Sequence, residues 1–504
     1  MPEDEPVIVI GAGIAGLTAA ALLAHEGLPV TLLEAHHQVG GCAGTFKRGE
    51  YVFDVGATQV AGFEVGGIHE RLFRHLEWPL PKAMILDPGC LIDLADGLPP
   101  IHLWNNPEKW KKERQKHFPG SESFWTLCNF LHKSNWSIAS RDPILPIRNI
   151  WDLRKLISSV RLENLPSTFF TPFSIFDILR ICGCHEDQRL RKFLDMQLKL
   201  YSQKNSEFTA ALYGATVLQM AQSPIGLWHL DGSMQTLSDN LKASFLRDGG
   251  KLLLRNRVVN LKTNNEKNNW FVEVIDQRGK FRKYCALDIV FTLPPQSLLE
   301  LMTIDSGLPI NFQIRLKKLP KPSGAVVLYA AIDRNLIPNN YPSHLQLASK
   351  NFVSIFISIS QNGDGRAPKG QATLIASVFV DIDNWFNLSK ESYQFKKQKL
   401  LLKIVEELSN YFKFDPKDLL HQELATPMSF MKWTGRPKGI VGGLGQNPLM
   451  FGPFGLPSRT PMKGLWLCGD SIYPGEGTAG VSQSSLMACR QLIANRGLKE
   501  IVID

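Results

Sequence analysis

Val7-Ile-Val-Ile-Gly11-Ala-Gly13-Ile-Ala-Gly16-Leu17 decides the fold of this chain. Four apolar residues run into a G-x-G-x-x-G turn, an Ala-rich helical pattern continues through Leu23, and a second apolar run ends on Glu34. Gly11 permits a tight turn, Gly13 lets backbone approach a pyrophosphate, and Gly16 lets the helix sit close on its strand. The helix N-terminus offers unpaired N–H groups and a partial positive charge to phosphates. Glu34 stands about 20 residues on, where a carboxylate accepts hydrogen bonds from a ribose 2′-hydroxyl and repels a 2′-phosphate. The expected ligand is therefore NAD or FAD and not NADP.

The residues after Glu34 separate those two. A simple dehydrogenase would continue into another strand–helix–strand unit. Here a Gly40-Gly41 loop comes next, then Tyr51-Val-Phe53-Asp54-Val55-Gly56, which alternates as a short strand. That is the flavoprotein order, in which the loop closes over the FAD pyrophosphate. Near the other end, Gly464-Leu-Trp-Leu-Cys468-Gly469-Asp470 reads as a strand and turn, Pro474-Gly475-Glu476-Gly477 as a loop, and a helix is predicted from about Val481 to Asn495. Asp470 is placed to bind ribityl hydroxyls, and the helix N-terminus to face the flavin ring, where it can stabilise negative charge.

At 504 residues, the chain has room for several domains. The spacing predicts an α/β, Rossmann-like FAD-binding domain in three pieces, residues 1–94, 226–300 and 456–504. Residues 95–225 form a helical lid or membrane-contact region between the first two. An antiparallel-sheet substrate domain spans 301–455. Three β-rich runs, 325–332, 352–359 and 373–380, supply that sheet, and a long amphipathic helix over 389–412 packs on it. Residues 285–293 read as one strand. Within the helical region, residues 149–161 put Ile150, Trp151, Leu153, Ile157 and Val160 near one face and basic residues towards the other. Such a face either docks on a membrane interface or packs on the core.

The net charge of +9 favours an anionic surface such as lipid headgroups, but no basic run is dense enough for nucleic acid. Eight cysteines are scattered, and the one close pair, Cys182-Gly-Cys184-His185, lacks a second pair at ligand spacing, so no metal site is expected. Residues 7–24 are apolar enough to mimic a membrane span, but the glycine fingerprint accounts for them. The acidic start, Met-Pro-Glu-Asp-Glu-Pro, has neither a secretory n-region nor an Arg-rich transit pattern. A peripheral protein on the cytoplasmic side of a bacterial membrane, of a cyanobacterium-like kind, is expected.

The two end motifs resemble those of the FAD-dependent carotenoid desaturase and carotene isomerase family, among the amine-oxidase-like flavoproteins. Gly11, Gly13, Gly16, Glu34, Gly40, Gly41, Asp54 and Gly56 match its opening pattern, and Gly469, Asp470, Pro474, Gly475, Gly477 and Val481 its closing one. Many desaturases carry Arg directly after the Gly-Gly pair; this chain has Cys42. A small residue there is similar to the isomerase branch and to cyanobacterial-type 3′,4′-desaturases, and leaves backbone N–H groups to meet the phosphate. The expected cofactor-binding set is Gly11, Gly13, Ala15, Gly16, Glu34, Ala35, Gly41, Cys42, Val258, Gly469, Asp470, Gly480 and Val481. The resemblance implies a hydrophobic carotenoid substrate, dehydrogenation of a polyene end group at the 3′,4′ bond, and quinone or oxygen as electron acceptor. Isomerisation with reduced flavin, another flavin-dependent oxidation, and a non-catalytic prenyl-binding chaperone on the same fold stay open. No nucleophile–base set is visible. Glu476 is a weak catalytic candidate, to be weighed against a solvated loop residue. Gly442-Gly443-Leu-Gly445 comes nearest to a second nucleotide turn but lacks the helix.

Overall fold

The computed structural model describes residues 6–264, 269–302, 307–339 and 341–503. The acidic first five residues lie outside the described residues. Val7–Ile10 is the central strand of a five-stranded parallel sheet, and all four residues are buried. The pattern is continuously apolar because both faces of such a sheet are covered. Val30–Leu33 lies on one side, in register Val7 with Val30 and Ile10 with Leu33. Asp288–Phe291 lies on the other, with Val7 opposite Asp288. Leu465–Leu467 and Lys251–Leu253 form the edges.

The first helix, Ile14–His25, is buried from Ile14 through Ala24. It has no polar stripe because it is enclosed between this sheet, the helix Gln235–Arg247 and the closing helix Thr478–Asn495. Gly16 makes that packing possible. A Cβ on Gly16 would stand 1.8 Å from the Gly11 carbonyl oxygen, a separation no side chain can occupy. The closing helix begins at Thr478, three residues before the sequence places it, capped by Gly477 at φ +88°.

A second sheet of seven strands carries the other half of the molecule. Its order is 421–425, 324–333, 371–380, 355–359, 344–347, 90–93 and 101–103. The three predicted β-rich runs are Gly324–Asp333, Ile355–Ile359 and Gln371–Val380. The helix Lys390–Phe412 packs Ile404, Val405, Leu408 and Phe412 against them, with Ser389 as its N-cap. Two features of the sheet are not legible in the sequence. His344–Leu347 escapes notice because its alternate residues His344 and Gln346 are polar yet buried. Cys90–Asp93 joins through a parallel pairing with 345–347, so strands from either side of residue 94 belong to this sheet.

Residues 285–293 are not one strand. Phe281–Ala286 pairs antiparallel with Asn269–Ile275, and Asp288–Phe291 enters the parallel sheet. The chain turns at Leu287, and Asp288 is buried there, accepting 2.7 Å hydrogen bonds from Trp466 Nε1 and Arg496 Nε. A run in which a single Asp interrupts the apolar residues hides such a change of sheet.

Residues 95–225 are largely helical, as expected, and include Glu122–Ala139, Ile150–Ser159, Gln188–Ser202 and Ala211–Val217. The helix Ile150–Ser159 turns only part of its apolar face to the core, Trp151 packing there. Ile150 is 71% exposed and Ile157 64%, whereas Asp152 and Ser159 are buried. The face is therefore divided: Trp151 packs against the core, while Ile150, Leu153 and Ile157 are left exposed. No helix among the described residues is long and apolar enough to cross a membrane.

Gly16→Ala should lower stability by about 3 kcal/mol or more, because backbone must move to admit the methyl group. Gly13→Ala, whose Cβ would meet nothing within 4 Å, should unfold at the wild-type temperature. Thermal denaturation of the two variants side by side checks both statements.

Candidate functional site

The ends of the first and closing helices open on one cavity of about 1430 Å³. Pockets for single drug-sized ligands measure about 300–1,000 Å³, so this one has room for a dinucleotide and a second molecule. Gly11, Gly13, Ala15, Glu34, Gly41 and Cys42 line it from the opening motif, and Gly469, Asp470, Glu476, Gly480 and Val481 from the closing one. Residues more than 400 positions apart in the chain thus face one space. Gly16 works behind the wall through the packing described above. Ala35 and Val258 are not among the lining residues: Ala35 is exposed, and Val258 packs against the core beside a register shift in its strand.

Glu34 is fixed from both sides. Its Oε2 accepts from Ala12 N at 2.7 Å, and its Oε1 accepts from His36 N at 2.7 Å. The carboxylate is held at the end of its strand, at the mouth of the Gly turn. Asp54, despite its place in the opening pattern, does not line the cavity. It is buried and accepts from Thr45 Oγ1 and Met234 N, both at 2.9 Å, and pairs with Arg366 at 3.3 Å. Its work is to join a hairpin to the helix Gln235–Arg247.

Asp470 carries a partner the sequence does not announce. Arg436 Nη2 donates to Asp470 Oδ2 at 2.7 Å and to Gly442 O at 2.6 Å, and Arg436 Nε donates to Ile440 O at 2.8 Å. Burial acts against the guanidinium charge, but Asp470 and then Cys42 outweigh it and raise its pKa. A cation therefore sits beside Cys42, where many desaturases supply Arg from the Gly-Gly loop itself. The Gly442-Gly443-Leu-Gly445 run has its explanation here. A Cβ on Gly443 would lie 2.0 Å from the Asp470 carbonyl oxygen, and one on Gly442 would lie 2.1 Å from Glu476 Oε2. These glycines let a loop press onto the closing motif.

Glu476 is not a solvated loop residue. Its Oε2 accepts from Gln203 Nε2 at 3.0 Å and from Gly443 N at 3.4 Å, and its Oε1 is shielded from water with no hydrogen-bond partner. Burial pushes its carboxyl up to about 8, against the opposing hydrogen bond from Gln203 and with the charge of Asp470 adding to the rise. Between this region and the seven-stranded sheet the wall is apolar, with Val327, Tyr329, Phe356, Leu424 and Phe430 among its residues. Two of the tyrosine hydroxyls are already engaged. Tyr329 donates to Val55 O and Tyr213 to Tyr201 O, each at 2.6 Å, so they present ring rather than polar tip.

The donor set fits FAD. A carboxylate stands where a ribose is bound, a Cβ-free turn leaves open space before a helix N-terminus, and a second helix N-terminus faces the same cavity beside Asp470. Residues 9–76 match the NAD(P)-binding Rossmann-like domain, and residues 178–493 match the flavin containing amine oxidoreductase family. The chain belongs to the flavin-containing amine oxidoreductases. Its relatives include prolycopene isomerases, a phytoene desaturase and all-trans-retinol 13,14-reductases. Prolycopene isomerase 2 of an Oncidium hybrid cultivar is 25% identical, over 99% of this chain and 85% of its own length. Phytoene desaturase of Phycomyces blakesleeanus is 23% identical, over 99% and 87%. The fold is also that of a putrescine oxidase variant redesigned in its cofactor site, with a TM-score of 0.65 at 18% identity, covering 98% of this chain and 99% of that one.

This flavin-containing amine oxidoreductase is thus an FAD enzyme, and the two end motifs line one cavity. Arg436, Gln203 and the Gly442–Gly443 contact were missed. They come from loops and a helix end with no periodic pattern, and the one available signal was a glycine cluster lacking its helix. Among the described residues, no group of three or more His, Cys, Asp or Glu could hold a metal.

Asp470→Ala removes an acceptor and leaves Arg436 unpaired. FAD affinity should fall by about 1–3 kcal/mol, roughly 5- to 150-fold. Titration of apoprotein with FAD, followed by flavin fluorescence, measures it; unchanged affinity would remove Asp470 from the cofactor site.

Proposed function

We infer that this chain dehydrogenates the acyclic end group of a carotenoid, at the 3′,4′ bond. The observation that carries the reading is the apolar wall that continues from the loops of the closing motif into the seven-stranded sheet, with the Tyr329 and Tyr213 hydroxyls turned onto backbone carbonyls. A polyene has no charge to grip, so its binding rests on apolar burial, at about 0.8 kcal/mol per CH₂. When bound, FAD supplies a two-electron acceptor for hydride, which needs no protein nucleophile. The task left to the protein is positioning. Gly11, Gly13 and Glu34 hold the nucleotide end, while Asp470, braced by Arg436, holds the part nearer the closing helix. The apolar wall orients the end group and excludes water. Oxidation at the 3′,4′ bond extends an existing polyene, which delocalises the positive charge that develops as hydride leaves. Quinone or oxygen then accepts the electrons.

Isomerisation is the second reading. A prolycopene isomerase aligned over 99% of this chain favours it, as does Cys42 in place of Arg. The two reactions differ in mass. With FAD, a quinone and a monocyclic or acyclic carotene, dehydrogenation yields a product two hydrogens lighter with a red-shifted spectrum. Geometric isomers of unchanged mass, formed only with reduced flavin, would assign the chain to isomerisation.

The same reading brings the chain to the cytoplasmic face of a bacterial membrane, where such substrates dissolve. Ile150, Leu153, Ile157, Leu162 and Phe169 are exposed within twenty residues of one another, with Arg154 and Arg161 among them. Apolar side chains flanked by cations suit an anionic interface. In liposome flotation the protein should rise with anionic vesicles and be released by high salt. Equal recovery in the soluble fraction with and without anionic lipid would reject this role for residues 141–180.

A further inference from the structure

Dehydrogenation of a carotenoid leaves one proton unassigned. Two C–H bonds on adjacent carbons must break. One leaves as hydride, carrying two electrons to oxidised FAD; the electron pair of the other becomes the new π bond, and its proton needs an acceptor. We propose that Glu476 is a catalytic residue that takes this proton on Oε1. The proposal rests on the dehydrogenation reading and adds an acid–base role to it.

The geometry is specific. Glu476 directly precedes Gly477, the N-cap of the closing helix, and lines the cavity with Asp470, Gly480 and Val481. Its carboxylate is held rather than free. Gln203 sits at the C-cap of Gln188–Ser202 at φ +59°, so its amide projects from the helix end. That amide donates to Glu476 Oε2 at 3.0 Å and to Gly443 O at 3.1 Å, and accepts from Ser323 N at 3.0 Å. Both Gln203 bonding groups are thereby used, which fixes its rotation and the orientation of Oε2. Oε1 alone is left without a partner. A buried polar atom with no partner costs free energy, and such an atom beside a cavity gains its partner when a ligand or proton arrives.

The alternatives nearby are poor bases. Asp470 is already engaged, its Oδ2 accepting from Arg436 Nη2 at 2.7 Å. The Tyr213 hydroxyl donates to Tyr201 O, and burial raises its pKa. Lys199 donates to the Gln203 carbonyl at 2.9 Å. Glu476 also feels the charges of Asp470 and Arg436, and Lys199 and Lys204 stand on the side of Gln203. The carboxyl remains pushed up to about 8 by burial, in the range of a general base working near neutral pH.

Ionisation sets the sign of the pH dependence. The acceptor must be ionised, so the rate should rise with pH and level off above about 8. The carboxyl pKa in the folded protein lies above its unfolded value, so the folded state holds the proton longer. Stability is then lost as pH rises from about 4.3 towards 8.

The test uses FAD-loaded enzyme, with an acyclic or monocyclic carotene in anionic liposomes, mixed without oxygen while flavin bleaching is followed. In wild type, bleaching should accelerate with pH through an apparent pKa near 8. Glu476→Gln should bind FAD as tightly as wild type, slow bleaching by about 10²–10⁴-fold and lose that limb. Its melting temperature should rise relative to wild type between about pH 5 and 8, then keep a constant difference. Bleaching in Glu476→Gln at the wild-type rate with the wild-type pH profile would overturn the assignment. Should Glu476→Gln fail to hold FAD, Glu476→Asp carries the test. Its shortened carboxylate should slow bleaching at least about tenfold yet keep a rising limb, and an unaltered rate would overturn the assignment. A carotene that never bleaches wild-type flavin, and yields isomers of unchanged mass, would reject dehydrogenation itself, which separates the two failures.

Discussion

Two helices from opposite ends of the chain share one wall, and the rest of the molecule depends on that contact. Ile14–His25 and Thr478–Asn495 lie side by side. Ser485 Oγ donates to Ala15 O at 2.9 Å, Thr18 and Ser482 hydroxyls meet at 3.2 Å, and Cys489 Sγ approaches Ala19 O at 3.6 Å. Alanines, serines and glycines dominate the contact because only small side chains let backbones come this close. The consequence is electrostatic as much as steric. Two N-terminal helix ends, each with unpaired N–H groups and partial positive charge, open on one cavity, and a dinucleotide that bears a pyrophosphate and accepts electrons can use both.

Buried charges obey the same logic of closure. Arg366, 3% exposed, is held by Asp54, by Asp364 at 3.0 Å, and by the Leu230 carbonyl, with His229 Nε2 at 2.7 Å. A lone guanidinium in such a place would be prohibitive, and pairing makes it tolerable without making it a large source of stability. What the cluster does is join three segments distant in the chain, near residues 54, 230 and 364. The seven-stranded sheet is thereby tied to the FAD-binding domain, and the cavity between them keeps a defined shape.

The sequence disclosed the parts that obey a period or a fingerprint. Residues 7–34 were legible because strand, turn, helix and acid each have their own signature in fixed order. The long helix 390–412 was legible from its amphipathic spacing and from Ser389 as its cap. Three kinds of information were not local. His344–Leu347 is a strand whose polar residues are buried through tertiary partners, Gln346 donating to Met196 O at 2.8 Å, so alternation misreads it. The apolar face of Ile150–Ser159 has the spacing of a core helix, and only the fold shows that Trp151 alone of Ile150, Trp151, Leu153 and Ile157 packs on the core. Glu476 looks like a loop carboxylate until Gln203, 273 residues away, and a glycine pair enclose it.

The absence of Arg after the Gly-Gly pair has a physical resolution in Arg436. A guanidinium rooted in a short loop at position 42 would point at the cofactor from the same segment that forms the turn. Arg436 arrives from a different loop, its Nε and Nη2 donating to Ile440 O and Gly442 O, and it braces Asp470. The charge therefore stands beside Asp470 and Cys42, rooted in the loop that also carries Gly442 and Gly443. Cofactor binding and enclosure of Glu476 then depend on one stretch of backbone, residues 436–443. Burial raises the pKa of the Cys42 thiol, and among the charges acting on it Arg436 opposes the rise and Asp470 adds to it, which places position 42 within reach of both. Cys42 is thus half of an exchange whose other half lies 394 positions on.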